Sequence, residues 1–245
     1  MLSLITKATI SSYITSGYLY MKIKAIIFFF AVVVIGLSAC TKTGGDLVVT
    51  NKSTLLSVIN ASADTLNFYQ NGTRLNNSSN LYPFGLLSNL SVTAGLQNFQ
   101  FKKAGSPYAL VDAPNTIKAD STYTLVFAGE TTDQVFLLTD HFLTTGSTAS
   151  IRFVNASSTV GGLDVTIGDS ISYKNRIFKS VTPFVKVAAG KKLLSIYKTG
   201  STTPLIKPGD LTLVAGASYT LYTKGSLNGI GNNVFGARIL ISTQF

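Results

Sequence analysis

The chain repeats itself. Ser57-Val58-Ile59-Asn60-Ala61-Ser62 answers to Arg152-Phe153-Val154-Asn155-Ala156-Ser157 at an offset of 95 residues. Ala94-Gly95 answers to Ala189-Gly190 at the same offset, as do Lys103, Gly105 and Ser106 to Lys198, Gly200 and Ser201. Tyr123-Thr124-Leu125 answers to Tyr219-Thr220-Leu221 one residue further on. Solenoid repeats have periods of roughly 20–50 residues, so this period is too long for one. It matches a small sandwich domain of about 100 residues. The chain is therefore expected to build one fold twice, over residues 48–142 and 149–245. The connector would be residues 143–148, where Thr-Thr-Gly-Ser-Thr has the composition of a short link.

Each copy reads as strands. In Gln97 to Lys102, Phe99 and Phe101 alternate with Asn98 and Gln100, and the counterparts Leu194 and Ile196 keep the apolar face. Period-two alternation marks a half-buried strand. Ile151 shares a face with Phe153, and Leu125 with Phe127. Turn signals recur at Asn71-Gly72, Ala104-Gly105, Gly161-Gly162 and Pro208-Gly209. Short strands between such turns predict an all-β protein of two tandem β-sandwich domains. Only the N-terminus is expected to be helical, as a signal segment.

That N-terminus has its own logic. Lys22 and Lys24 precede a dozen apolar residues, Ala25 to Gly36, too few to cross a bilayer, which takes roughly 20. A positive start, a short apolar middle and a small-residue end describe a secretory signal. The end, Leu37-Ser38-Ala39-Cys40, resembles the lipobox of bacterial lipoproteins. The resemblance implies that Leu37, Ser38 and Ala39 are read by a signal peptidase and that Cys40, the single cysteine, receives lipid. Residues 21–39 are then the signal and 40–47 the lipidated start of the tether. Met21 makes a natural start, so residues 1–20 are expected to be an upstream extension. The protein would be held by lipid on Cys40 in the cell envelope, at the outer membrane, with no nucleic acid partner.

A second resemblance covers most of residues 149–223. Arg152-Phe153-Val154-Asn155-Ala156-Ser157 is similar to the opening motif of the domain-of-unknown-function family 4397, found in surface proteins and lipoproteins of the Bacteroidota. Thr182-Pro183-Phe184-Val185, Val187-Ala188-Ala189-Gly190, Lys198-Thr199-Gly200-Ser201 and Val214-Ala215-Gly216-Ala217-Ser218-Tyr219-Thr220 follow in that family's order. In the first copy only Asn60-Ala61-Ser62 and Tyr123-Thr124-Leu125 persist. The resemblance implies an immunoglobulin-like sandwich and no assigned activity.

The residues give little support to catalysis. His141 is the only histidine, so no multi-histidine metal site can form. Its neighbour Asp140 would point to the opposite face of a strand. Glu130 and Asp133 stand three residues apart and read as solvated turn residues rather than a glycosidase pair. No Asp-rich calcium loop is present. We therefore expect no catalytic residue, no metal ligand and no cofactor. Asn60 and Asn155 close apolar strands and read as turn-fixing residues. Asp64-Thr65-Leu66, Asp120-Ser121-Thr122 and Asp169-Ser170-Ile171 resemble the O-glycosylation motif of Bacteroidota, making Thr65, Ser121 and Ser170 candidate sites. Tyr82, Tyr108, Tyr173 and Tyr222 are candidate exposed rings for stacking on sugar.

Charge is uneven. Residues 46–141 carry 5 basic and 7 acidic residues, net −2, whereas 149–245 carry 11 and 3, net +8. Lys186, Lys191, Lys192 and Lys198 are the candidate patch for an anionic partner. The expected function is non-enzymatic binding or adhesion at the envelope, toward a glycan or an envelope protein. The alternative is a structural spacer or assembly subunit without a soluble ligand.

Overall fold

The computed structural model describes residues 52–242. The lipobox, Cys40 and the upstream segment lie outside the described residues. The first copy holds β1 (Ser53–Asn60), β2 (Leu66–Gln70), β3 (Thr73–Arg74), β4 (Leu86–Thr93), β5 (Gly95–Lys103), β6 (Val111–Ile117), β7 (Thr122–Phe127) and β8 (Val135–Asp140). The second holds β9 (Thr148–Asn155), β10 (Leu163–Ile167), β11 (Ile171–Arg176), β12 (Val185–Ala188), β13 (Gly190–Lys198), β14 (Gly209–Leu213), β15 (Ser218–Lys224) and β16 (Gly236–Ser242). Apart from these strands, two short 3-10 turns are the only regular structure among the described residues. No helix there is long and apolar enough to cross a membrane.

Each copy is a pair of four-stranded sheets. Sheet I runs β4-β1-β7-β8 and sheet II β3-β2-β5-β6, while the second copy repeats the order as sheet III, β12-β9-β15-β16, and sheet IV, β11-β10-β13-β14. The first strand of each copy pairs parallel with the seventh, β1 with β7 and β9 with β15. This differs from the expected immunoglobulin order, in which the first strand lies beside the second in a seven-stranded ABED/CFG arrangement. Here β1 sits between β4 and β7, and β2 belongs to the other sheet.

Alternation sorts the side chains. Leu56, Val58, Phe68, Phe99, Phe101, Leu125 and Phe127 fill the first sandwich. Ile151, Phe153, Val165, Ile196 and Leu221 fill the second. The opposite faces of sheets I and III do not meet water. Ile59 and Val126 from the first copy join Val154, Tyr222 and Leu240 from the second in a third buried cluster. Sheets I and III therefore pack face to face, and all seven residues of β15 are buried. The half-buried strands expected from period-two patterning hold for outer strands such as β6 and β11. The central strands β1, β7, β9 and β15 are largely buried on both faces, with polar residues such as Asn60, Thr124, Arg152 and Thr220 carried into the interior.

Contacts across this seam are reciprocal. The turn Tyr82–Gly85 closes with Gly85 N–H on the Tyr82 carbonyl, and the turn Ile177–Ser180 closes the same way. Their third residues, Phe84 and Lys179, both have positive φ, 61° and 65°. Phe84 packs on Tyr222 of the second copy, and Phe178 packs edge-on against Phe136 of the first. Within sheet I, Thr124 Oγ1 donates to Asp140 Oδ2 at 2.8 Å, and in sheet III the equivalent Thr220 and Ser242 hydroxyls meet at 2.8 Å. The symmetry breaks at one place. Arg152 reaches across the seam, whereas its counterpart in the first copy is the small Ser57. The link between the copies is also packed, since the Phe142 and Phe184 rings lie 5.2 Å apart.

Candidate functional site

β1, β7, β9 and β15 all run toward one pole of the stack, and the connections leaving them line a single cleft of about 370 Å³. Such a volume falls within the roughly 300–1,000 Å³ typical of ligand pockets. Its floor is made of small residues, Ala61, Ala63 and Ala128 from the first copy and Ala156 from the second. Lys52 precedes β1, so the described chain begins at the opposite pole.

The repeated Asn-Ala-Ser builds the walls. Asn60 Nδ2 donates to the carbonyls of Asp64 (2.7 Å) and Leu81 (3.1 Å), while its Oδ1 accepts from Ser62 N–H (2.9 Å) and Ser62 Oγ (2.8 Å). Asn155 Nδ2 donates to the Arg176 carbonyl (2.8 Å), and its Oδ1 accepts from Ser157 N–H (3.0 Å) and Thr223 Oγ1 (2.9 Å). Both asparagines are fully buried. They are turn-fixing residues, as the sequence suggested, because an asparagine side chain can imitate a backbone turn.

Other polar groups in the cleft are not spent in this way. The side chains of Gln134, Ser158, Thr159, Ser226 and Asn233 line it and make no hydrogen bond to another described residue. Gln134 lies against Gly129, where a Cβ would collide with its amide. On the first-copy wall, Lys103 Nζ sits 2.7 Å from Glu130 Oε1 and 3.3 Å from Asp64 Oδ2. The hydrogen bond from Lys103 holds the Glu130 carboxyl below its ordinary value, and the same bond holds the Lys103 ammonium above its own. Glu130 is thus a solvated turn residue that also faces a cleft. That second role is not legible from the residues alone, because the cleft forms only when the two copies meet.

A second groove, about 330 Å³, opens beside the seam between Thr139, His141 and Leu143 on one side and Thr182, Pro183 and Phe184 on the other. Arg152 forms its floor, yet that guanidinium is already engaged. Nη1 lies 2.7 Å from Asp140 Oδ1, Nη2 donates to Thr124 Oγ1 at 3.0 Å, and Nε donates to Thr220 Oγ1 at 2.9 Å. The Phe184 ring covers it at 4.6 Å. His141 is exposed and Asp140 buried, the opposite orientations expected of strand neighbours. The groove therefore offers no charged group free to hold a ligand except at its rim.

The remaining candidates are scattered. Tyr82 and Tyr108 are exposed, at 59% and 80%. Tyr173 and Tyr222 are buried, at 8% and 0%, which corrects their reading as exposed rings. Tyr222 lies inside the seam, where its hydroxyl donates to the Phe84 carbonyl at 3.0 Å. The four lysines are not gathered. Lys186 is on β12 of sheet III, whereas Lys191, Lys192 and Lys198 are on β13 of sheet IV. Lys191 and Lys192 are consecutive and face opposite ways. Lys192 and Lys198 share a face but stand six residues apart, roughly 20 Å along the strand. Among the candidate glycosylation positions, Ser170 is exposed in the β10–β11 turn, and Thr65 and Ser121 are half-buried just before β2 and β7. Among the described residues no group of three or more His, Cys, Asp or Glu is placed to hold a metal ion.

These features define an all-β protein of two repeated sheet-pair units sharing one polar cleft. The domain of unknown function DUF4397 matches residues 54–166 and again 149–236, and the chain belongs to that family. No protein with a curated description matches it. Among solved structures, it is similar to the crystal structure of CBMbc, a family CBM26 module from Eubacterium rectale Amy13K in complex with maltoheptaose. The identity is 11%, with 77% of this chain and 97% of that one covered at a TM-score of 0.25. A superposition that loose transfers neither site nor ligand.

Proposed function

We propose that the protein is a non-enzymatic, lipid-anchored binding protein of the cell envelope, at the outer membrane, and that the polar cleft is where it binds. The observation that carries this reading is the convergence of connections from both copies on one ligand-sized space, lined by polar side chains that the fold leaves unengaged. Its partner is a glycan or another envelope component. The lipobox at Leu37 to Cys40 supplies the anchoring half of the reading. The alternative, a structural spacer or assembly subunit, draws on the buried seam, which makes one body of the two copies. A spacer needs no cleft, so the cleft favours binding.

The test is retention on an array of envelope glycans and surface polymers. The full-length protein in detergent would be compared with its Gln134→Ala/Asn233→Ala variant. Retention by the wild type that the variant loses supports the proposal. No retention, or equal retention, overturns it in favour of the spacer.

A further inference from the structure

The charges around the cleft narrow what it can hold. Only Lys103 brings a cation to its acidic wall, and both carboxylates there already share it. Two carboxylates against one ammonium leave the wall net negative. The lysine at the end of β15, Lys224, is 3% exposed and turned elsewhere: its ammonium lies over the Phe84 ring at 4.3 Å and donates to the Asn232 carbonyl. Among the described residues, no free positive group lines the cleft for an anionic ligand. What the cleft does offer is neutral. Two primary amides and three hydroxyls are unengaged, and four alanine methyl groups make a shallow apolar floor. Amides and hydroxyls both donate and accept. Such a set suits a ligand that presents alternating hydroxyl donors and acceptors above an apolar C–H face.

Resting on the reading of the cleft as the binding site, we infer that its ligand is a neutral, unsulfated and uronate-free oligosaccharide, gripped by both copies at once. Gln134 and Glu130 come from the first copy, and Ser158, Thr159, Ser226 and Asn233 from the second. A hydroxyl-rich ligand can spend these groups without displacing Lys103, whereas a carboxylated or sulfated one meets like charge at the same wall.

The experiment is isothermal titration of the full-length protein in detergent with neutral cellohexaose, xylohexaose and mannohexaose, and with acidic oligogalacturonate and heparin fragments. Gln134→Ala and Asn233→Ala, one on each copy, are titrated in parallel. The expected result is binding of at least one neutral oligosaccharide, little affected by salt, with each variant weakening it about three- to tenfold. Binding of only the acidic probes, lost in the two variants, leaves the cleft as the site and overturns its neutral-glycan specificity. Binding of any probe that both variants leave unchanged overturns the cleft itself as the site. Absence of binding across the neutral panel also overturns the inference, and a peptide or protein ligand lost in the same variants would then identify the class of partner. Loss in only one variant overturns the claim that both copies grip the ligand.

Discussion

Arg152 carries a full charge into a place with almost no water. Its side chain is 3% exposed and that of Asp140 is 2% exposed. Removing two charges from water costs several kcal/mol per ion, and their attraction recovers this only with good geometry and further hydrogen bonds. Here Thr124 and Thr220 supply those bonds. Arg152→Ala would strand Asp140, and we expect about 3–5 kcal/mol of lost stability by urea denaturation. The joint replacement Arg152→Met with Asp140→Leu should recover most of it, since an apolar pair of similar size is often neutral or stabilising. The pH dependence has a definite sign. Burial holds the Asp140 carboxyl above its ordinary value, and Arg152 opposes that rise. A raised acid favours the native state fully below its unfolded value and loses that contribution as pH rises through the folded one. Without Arg152 the rise is larger, so the deficit of Arg152→Ala should shrink as pH falls toward the carboxylate range. Asp164 behaves oppositely. The Asn175 N–H at 2.8 Å, with Thr199 Oγ1 at 3.0 Å, holds its carboxyl below the ordinary value. Its contribution is present above the unfolded value and is lost as pH falls through the lowered one. Asp164→Asn should therefore flatten the acid limb of a plot of urea midpoint against pH. An unchanged limb would show that the carboxylate does not contribute to acid unfolding.

At the scale of elements, the two Asn-Ala-Ser turns do the same work in both copies. Each buried asparagine bonds backbone groups of the turn that follows its strand and of a neighbouring segment: Ser62 N–H and the Asp64 and Leu81 carbonyls for Asn60, Ser157 N–H and the Arg176 carbonyl for Asn155. Replacing one leaves such groups unpaired, at about 1–3 kcal/mol for each group. Asn60→Ala and Asn155→Ala should thus each lower the thermal midpoint clearly, by comparable amounts, while an exposed control such as Asn77→Ala should not. The equivalent tyrosines are a second repeated brace: the Tyr123 hydroxyl accepts Lys118 N–H at 3.1 Å and the Tyr219 hydroxyl accepts Val214 N–H at 2.9 Å. Both braces were legible as repeated sequence, because a side chain that satisfies its own turn keeps identity and spacing. So were the strands whose alternation is clean, at Phe99 and Phe101, Leu125 and Phe127, Ile151 and Phe153, and Leu194 and Ile196, which fall in β5, β7, β9 and β13. The order of strands was not legible, since alternation says which face a residue takes and nothing about which strand lies beside it. The seam and the cleft were hidden for another reason. Ile59, Val126 and Val154 read as ordinary strand residues, and only the packing of sheet I on sheet III shows that their outward faces are buried. The same packing explains why Tyr222, with a polar tip, was misread as exposed.

Across the whole molecule, the described chain begins at one pole and the cleft opens at the other. The eight residues of β1 separate the two poles by about 26 Å along the strand. On the proposed lipid anchor, membrane association would have two separable sources: the lipid on Cys40, and the net +8 of residues 149–245 attracted to anionic headgroups. They differ in their response to salt. Attraction between exposed charges is screened over about 8 Å at physiological ionic strength, whereas two or more acyl chains hold a protein stably at any salt. The wild type should incorporate radiolabelled palmitate and remain in the membrane fraction in 1 M salt. Cys40→Ala should take up no label, and whatever fraction stays with anionic vesicles at low salt should be released at high salt. Label in the variant would refute lipidation at Cys40. A variant that stayed membrane-bound at high salt would show that something other than lipid or charge holds the protein there. Because the lysines are spread over sheets III and IV, Lys186→Ala, Lys191→Ala, Lys192→Ala and Lys198→Ala should each reduce the low-salt fraction by a small and similar amount. One dominant lysine among them would instead point to a local anion site.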